Sequence, residues 1–201
     1  MRILVLGAGG VGAATAAIAR RRDFFDHMVL ADLDPARARA AVAGLDDGRF
    51  SASGIDASDR RAIVELARAE RADVILNACD PRLNPPIFEA AFEARTTYLD
   101  MAMTLSRRHP EKPYEQAGVM LGDEQFAAAG EWEAAGLLAL VGIGVEPGLS
   151  DVLARYAADH LLDEIDEIGV RDAADLVWPT TARPMGWMST RRRGPPGSGP
   201  L

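Results

Sequence analysis

With 201 residues, 48% of them hydrophobic, the chain can bury a sizeable core and suggests one domain and part of another. Its net charge of −8 argues against nucleic acid as the main partner. Cys79 is the only cysteine, which excludes an internal disulfide and fits a reducing compartment; no apolar run approaches the ~20 residues of a bilayer span and no leader precedes the first strand, so a soluble, cytoplasmic protein with no membrane partner is expected.

The chain opens on RILVLGAGGVG, from Arg2 to Gly12. Ile3 to Leu6 is an apolar, partly β-branched run of strand length. Gly7, Gly9 and Gly12 follow it in G-x-G-x-x-G spacing, and a small-residue helix continues over 13–18. Gly7 lets the chain leave the strand in a tight turn, Gly9 lets a pyrophosphate approach the backbone, and Gly12 lets the helix pack close to the sheet; Gly10 and Val11 complete the loop. The free N–H groups and positive dipole end of that helix would face the phosphates. The helix ends near Arg20–Arg22, and a second apolar strand, 28–31, ends in Asp32. Asp34 caps the next helix, Pro35 occupies its first turn, and Ala38, Ala41, Val42 and Leu45 form its apolar face.

A weaker third strand, 50–55, ends at Asp56, and Ser58 or Asp59 caps a helix with Ile63, Leu66 and Ala67 inside. The run 72–78 is a fourth strand, nearly all apolar, as a strand covered on both faces should be. Residues 80–86 read as a rigid loop, 87–94 as a helix, and 97–99 as a strand ending at Asp100. Residues 103–122 are polar and proline-bearing, a loop of the length that is functional or mobile. A helix over 123–135, a buried strand over 137–143, a glycine-rich turn through Leu149, a helix capped by Ser150 or Asp151 and running to His160, and a strand over 164–170 complete the pattern. From Val177 onward there is no acidic residue, and four arginines give this tail +4. It reads as a disordered basic tail or as a GC-rich gene read out of frame. The second fits better, because arginine replaces lysine everywhere but at Lys112, alanine is very frequent, and the strand at 164–170 begins something that does not follow.

Asp32 lies 20 residues beyond Gly12, where a carboxylate would accept hydrogen bonds from the adenosine ribose hydroxyls and favour NAD over NADP. Arg37 and Arg39 soften that preference, and Asp32 also suits the start of the turn into the next helix. Asp56 is placed equally well to contact adenine or to cap the third helix. Asn77 and Ala78 end the fourth strand at the carboxyl edge, where open α/β sheets bind ligands, and a buried Asn77 needs a partner that a cofactor would supply. Asp80, Arg82, Asn84 and Asp100 converge on the same crevice in a doubly wound sheet, and Asp80 and Asp100 are the candidates nearest the reacting centre. His27, His109, Lys112 and His160 fit surface positions better than proton transfer, and Cys79 fits a small buried apolar residue. No metal-ligand pattern is present. No tyrosine is followed by lysine at Tyr-x-x-x-Lys spacing, which disfavours a short-chain dehydrogenase, and the glycine spacing disfavours a methyltransferase.

The segments GAGGVG, VILNACDPRLNPPIFEAAFEARTTYLDMA and GIGVEPGLSDVLARYAAD, with Asp32, resemble the saccharopine dehydrogenase-like oxidoreductases from Met1 to about Asp172. That family includes saccharopine reductases and carboxynorspermidine synthases. The resemblance implies a Rossmann domain over 1–162 and the start of an α/β substrate domain over 163–176; the irregular tail over 177–201 departs from the family's plan. It also implies NAD- or NADP-linked redox chemistry at a carbon–nitrogen bond of an amino acid or amine substrate, and it admits a homodimer in an intact parent. The expectation is a truncated oxidoreductase whose acid–base residues lie in the missing substrate domain; the alternative is a non-catalytic dinucleotide-binding or regulatory module.

Overall fold

The first strand, β1 (Arg2–Leu6), buries Ile3 through Leu6 in succession because helices cover both faces of the sheet it joins. The computed structural model describes residues 1–171. Side chains alternate across β1, so Leu4 and Leu6 face one apolar layer and Ile3 and Val5 the other. Five further strands are parallel to it: β2 (His27–Asp32), β3 (Phe50–Gly54), β4 (Val74–Asn77), β5 (Thr97–Asp100) and β6 (Ala139–Leu140). The order across the sheet is β3-β2-β1-β4-β5-β6, the doubly wound Rossmann arrangement. The direction of winding reverses between β1 and β4, so a crevice opens beyond their carboxyl ends.

Among the described residues seven α-helices accompany the strands: α1 (Gly10–Ala19), α2 (Pro35–Ala43), α3 (Arg60–Ala69), α4 (Asn84–Ala94), α5 (Asp123–Ala127), α6 (Ala129–Ala134) and α7 (Leu149–His160). Ala16 and Ala19 of α1 and Ala38 of α2 join Ile3 and Val5 in one layer. Ile63, Val64 and Ala67 of α3 and Ile87, Phe88, Ala90 and Ala91 of α4 join Leu4 and Leu6 in the other. Each fully buried Leu or Ile contributes roughly 1.5–3 kcal/mol. Trp132 of α6 lies 4.8 Å from the Phe88 ring and extends the second layer over β5.

The local start signals are realised by aspartates. Asp34 accepts from the Ala36 N–H and caps α2, whose first residue is Pro35; Asp59 accepts from the Ala62 N–H and caps α3. Six sequence expectations change. His27 lies on β2, with Nε2 2.9 Å from Ser51 Oγ, rather than in the preceding linker. Residues 80–86 are a 3-10 turn, Pro81–Leu83, running directly into α4 at Asn84, because prolines are tolerated in a helix's first turn. The expected helix over 123–135 is two short helices meeting at Ala128, and the strand over 137–143 shortens to the two residues of β6. The N-cap of α7 is Gly148, and Asp151 accepts from the Gly148 N–H at 2.8 Å from three residues inside the helix. Residues 164–170 form no strand; a strand is held by its ladder, and no described residue pairs with this stretch.

Met1–Asp166 forms one contact unit, and the described residues from Glu167 to Arg171 have no regular secondary structure. The expected tail over 177–201 lies outside the described residues. Among those described, no helix is long and apolar enough to cross a membrane. Leu149, Val152, Leu153 and Tyr156 form an apolar i, i+3, i+4, i+7 stripe on α7, and each is more than half exposed.

Candidate functional site

The carboxyl ends of β1 to β4 surround a cleft of about 270 Å³. The glycine loop supplies Gly7 and Gly9; the end of β2 supplies Ala31, Asp32 and Leu33, with Arg37 from α2. Ile55, Asp56 and Ala57 follow β3, and Ala78, Cys79, Asp80 and Leu83 follow β4. The lining thus comes from four strand ends that are far apart in the chain.

Two of the glycines are required by geometry. Gly7 has φ +97°, and its N–H donates to Ala31 O at 2.8 Å; a Cβ there would lie 2.8 Å from Ala78 O. A Cβ on Gly12 would sit 1.9 Å from Gly7 O, so the turn and α1 pack as closely as backbone allows. Gly9 and Gly10 differ, since a Cβ on either meets no atom within 4 Å. The space beside Gly9, at the N-cap of α1, lies on the cleft side, and α1 begins there without a side-chain cap. A phosphate would fill that space and take up the N–H groups at the helix start. Val11 is half exposed on the first turn, and Gly12 is buried beneath it; neither lines the cleft.

Asp32 does two things at once. It lines the cleft, and its carboxylate organises the backbone: Oδ2 accepts from the Ala8 N–H at 2.8 Å and Oδ1 from the Asp34 N–H at 3.0 Å. Asp56 also lines the cleft, and its Oδ1 accepts from the Ser58 N–H and hydroxyl, which holds its pKa below the usual carboxylate value. Its bonds therefore form a turn, and the helix cap itself falls to Asp59. Arg39 does not line the cleft.

Asp80 caps the 3-10 turn and pairs with Arg82, whose guanidinium and N–H hold the Asp80 carboxyl below its ordinary range. It lines the cleft as a carboxylate, not as a proton donor. Cys79 beside it is pushed up to about 11, first by burial and then by the charges of Asp32 and Asp80. Asp100 is not at the cleft. It is 1% exposed; Oδ2 accepts from Tyr98 OH at 2.9 Å and Gln125 Nε2 at 2.6 Å, and Oδ1 from the Gly142 N–H at 2.7 Å. Burial and the neighbouring Asp100 carboxylate push the Tyr98 phenol well above its ordinary value.

Asn77 belongs to the same buried network and finds its partners within the protein. Its Nδ2 donates to Asn84 Oδ1 at 2.8 Å and to Tyr98 OH at 3.2 Å, and its Oδ1 accepts from the Cys79 N–H at 3.0 Å. Asn84 Nδ2 in turn donates to Ala102 O. The sheet register places Leu6, Asn77 and Asp100 in one row across β1, β4 and β5. The network thus fixes the loops at the carboxyl edge from beneath, and two of its residues, Tyr98 and Gln125, carry no motif that spacing could reveal.

His109 and Lys112 share the loop over 103–122, where His109 Nδ1 accepts from the Lys112 N–H at 3.1 Å; neither lines the cleft. Among the described residues no cluster of His, Cys, Asp and Glu could hold a metal ion.

The family described as saccharopine dehydrogenase NADP binding domain matches residues 3–140. The carboxynorspermidine synthase of Vibrio cholerae is 30% identical over 181 residues, covering 86% of this chain and 43% of that protein. The carboxyaminopropylagmatine dehydrogenase of a Synechocystis species is 28% identical over 173 residues, covering 85% of this chain and 41% of that protein. The chain therefore spans less than half the length of these relatives. Among solved structures, the apo saccharopine dehydrogenase (L-Glu forming) of Saccharomyces cerevisiae superposes with a TM-score of 0.59 at 19% identity, over 80% of this chain and 31% of that one, a likeness of fold.

Proposed function

The chain belongs to the saccharopine dehydrogenase NADP-binding domain family, and from that premise we propose that its cleft binds a nicotinamide dinucleotide for redox chemistry at the carbon–nitrogen bond of an amino acid or amine conjugate. The observation that carries the proposal is the open space beside Gly9, at the start of α1, in a cleft that Asp32 also lines. Bound there, the dinucleotide would supply hydride exchange between its nicotinamide ring and an imine carbon. The residues of the chain hold and orient it. Backbone N–H groups at the start of α1 meet the phosphates, and Asp32 accepts from ribose hydroxyls while bracing the loop. Asp56 and Ala57 border the adenine end, and Ala78, Cys79 and Asp80 border the opposite side.

The carboxylate of Asp32 favours NAD; Arg37, also in the lining, would accept a 2′-phosphate. The names of the relatives favour an enzyme over a non-catalytic dinucleotide-binding module. The net charge of −8 and the lone Cys79 support a cytoplasmic protein with a small-molecule partner. Calorimetric titration of the 201-residue chain with NADH, NADPH and S-adenosylmethionine tests the assignment. Saturable binding of a reduced dinucleotide, competed by ADP-ribose, is expected; binding of S-adenosylmethionine alone, or of none of the three, overturns it.

A further inference from the structure

The buried network beneath the carboxyl edge runs from one cleft to another. At one end, Asn77 Oδ1 accepts from the N–H of Cys79, which lines the cleft between the glycine loop and β4. At the other, Gln125 Oε1 accepts from the N–H of Thr104 at 2.8 Å. Thr104, with Arg107 and Glu124, lines a second cleft of about 280 Å³ beyond the turn at Pro81–Leu83. Between the two ends stand Tyr98 and Asp100. Asn77, Tyr98, Asp100 and Gln125 are each no more than 4% exposed, so the protein itself sets the direction of their hydrogen bonds.

That direction is fixed by one group, because a carboxylate can only accept. Tyr98, whose phenol is pushed well above its ordinary value, keeps its proton and gives it to Asp100 Oδ2. Its oxygen is left to accept from Asn77 Nδ2, and the Asn77 amide is thereby turned with Oδ1 toward Cys79. The other bond of Asn77 Nδ2, to Asn84 Oδ1, has the same sense, since Asn84 Nδ2 donates onward to Ala102 O. On the second branch Gln125 gives Nε2 to Asp100, so its Oε1 faces Thr104. One negative charge thus orders every proton in the network.

The order reaches the wall of the first cleft. The peptide between Ala78 and Cys79 is trans, which sets its carbonyl opposite its N–H. With the N–H turned inward to Asn77, Ala78 O is turned to Gly7, 2.8 Å from the place a Cβ on Gly7 would occupy, and both residues line the cleft. The Gly7 N–H is engaged by Ala31 O and does not meet this carbonyl.

We propose that Asp100 is a positioning residue for the dinucleotide cleft: its charge, passed through Tyr98 and Asn77, turns the Ala78–Cys79 peptide so that the wall on the β4 side offers a hydrogen-bond acceptor and not a donor. The cleft is then divided by polarity. N–H groups at the start of α1 take the phosphates, while Ala78 O takes a hydroxyl of the ligand and turns a phosphate away. Asp100 does this without touching the ligand. The proposal deepens the dinucleotide reading and rests on it for the identity of the ligand.

ADP-ribose carries a second ribose that ADP lacks, so the ratio of their affinities reads the acceptor. The test is titration of the 201-residue chain and its variants with both, together with the amide proton shift of Cys79. Tyr98→Phe cuts the relay and Asp100→Asn removes the charge. Each should move the Cys79 amide proton upfield and lower the preference for ADP-ribose over ADP about three- to tenfold, the worth of one hydrogen bond. Gln125→Met removes a donor from Asp100 on the other branch. It should lower the melting temperature and leave both readouts unchanged, a separation that a merely stabilising network does not produce. If circular dichroism shows Asp100→Asn unfolded, Tyr98→Phe, which differs by one hydroxyl, decides. Equal affinity of the parent chain for the two nucleotides, an unchanged preference in Tyr98→Phe, or an equal loss of preference in Gln125→Met overturns the proposal. A Cys79 shift that moves in Tyr98→Phe, in a chain that binds neither nucleotide, would overturn the dinucleotide reading and leave the relay standing.

Discussion

The carboxylate of Asp32, at the end of β2, accepts a hydrogen bond from the backbone N–H of Ala8 at 2.8 Å, across 24 positions of sequence. The residue proposed to accept from a ribose is therefore also a brace for the glycine loop. Asp32→Ala removes both functions, and the lost charge-assisted bond predicts a destabilisation of roughly 1.5–3 kcal/mol together with weaker dinucleotide binding. Urea denaturation and calorimetry separate the two effects. A variant that loses affinity for NADH at unchanged stability would show that the brace contributes nothing.

Gly12 and Gly9 should fail in opposite ways. A Cβ on Gly12 collides with Gly7 O at 1.9 Å, so Gly12→Ala is expected to cost at least ~1–3 kcal/mol of stability through overpacking. A Cβ on Gly9 meets nothing, so Gly9→Val should fold with a melting temperature near that of the parent yet lose NADH binding. Thermal denaturation and titration of both variants check the contrast, and undiminished affinity in Gly9→Val would remove the phosphate role from the loop.

Asp100 accepts from three donors, Tyr98, Gln125 and Gly142, inside the buried network. Asp100→Ala leaves them unsatisfied and predicts a loss of roughly 2–4 kcal/mol. Because Asp100 does not line the dinucleotide cleft, its variant should retain most of its affinity for ADP under conditions where it is folded. Chemical denaturation followed by titration in stabilising buffer tests both statements.

Cys79 sets a pH dependence. Its thiol, ordinarily near 9.0, is pushed up to about 11 in the folded chain, so the fold favours the neutral thiol. The unfolded chain releases that proton first, and the resulting stability is present in full below about pH 9 and lost between 9 and 11. The same shift leaves about 100-fold less thiolate at pH 8 than a cysteine of ordinary pKa. Alkylation by iodoacetamide should be correspondingly slow at pH 8, and slower still with NADH bound, because Cys79 lines the cleft. Reaction at the rate of a free thiol would contradict its burial.

Local chemistry made the first half of the chain legible. A strand-length apolar run, glycines at fixed spacing, and the aspartates at 34 and 59 each act within a few residues, so β1, α1, α2 and α3 and the glycine loop could be placed without knowing the fold. Asn77 is visible as a polar residue in an apolar strand, but its side-chain partners are not: Tyr98 reaches it because β4 and β5 pair in one particular register, and Asn84 because α4 begins directly after the 3-10 turn. The same holds for Asp100, whose position at a strand end suggested the reacting centre and whose side chain turns out to be walled in by Tyr98 and Gln125. Thr104, Arg107 and Glu124 lie in or beside a loop without periodicity, and they come to one wall through long-range bonds: the Gly122 N–H to Thr104 O, the Thr104 N–H to the Gln125 side chain, and the Arg107–Val119 backbone pair.

Residues 80–86 stand between the two clefts: Asp80 and Leu83 face one, and Pro81, Arg82 and Pro85 the other. Three of the seven are prolines, Pro81, Pro85 and Pro86, so φ is fixed at those positions before the chain folds. A partition of this kind has little conformational freedom left to surrender when a ligand arrives. The spacing between the two clefts is then a property of the polypeptide, written into its backbone before any ligand is met.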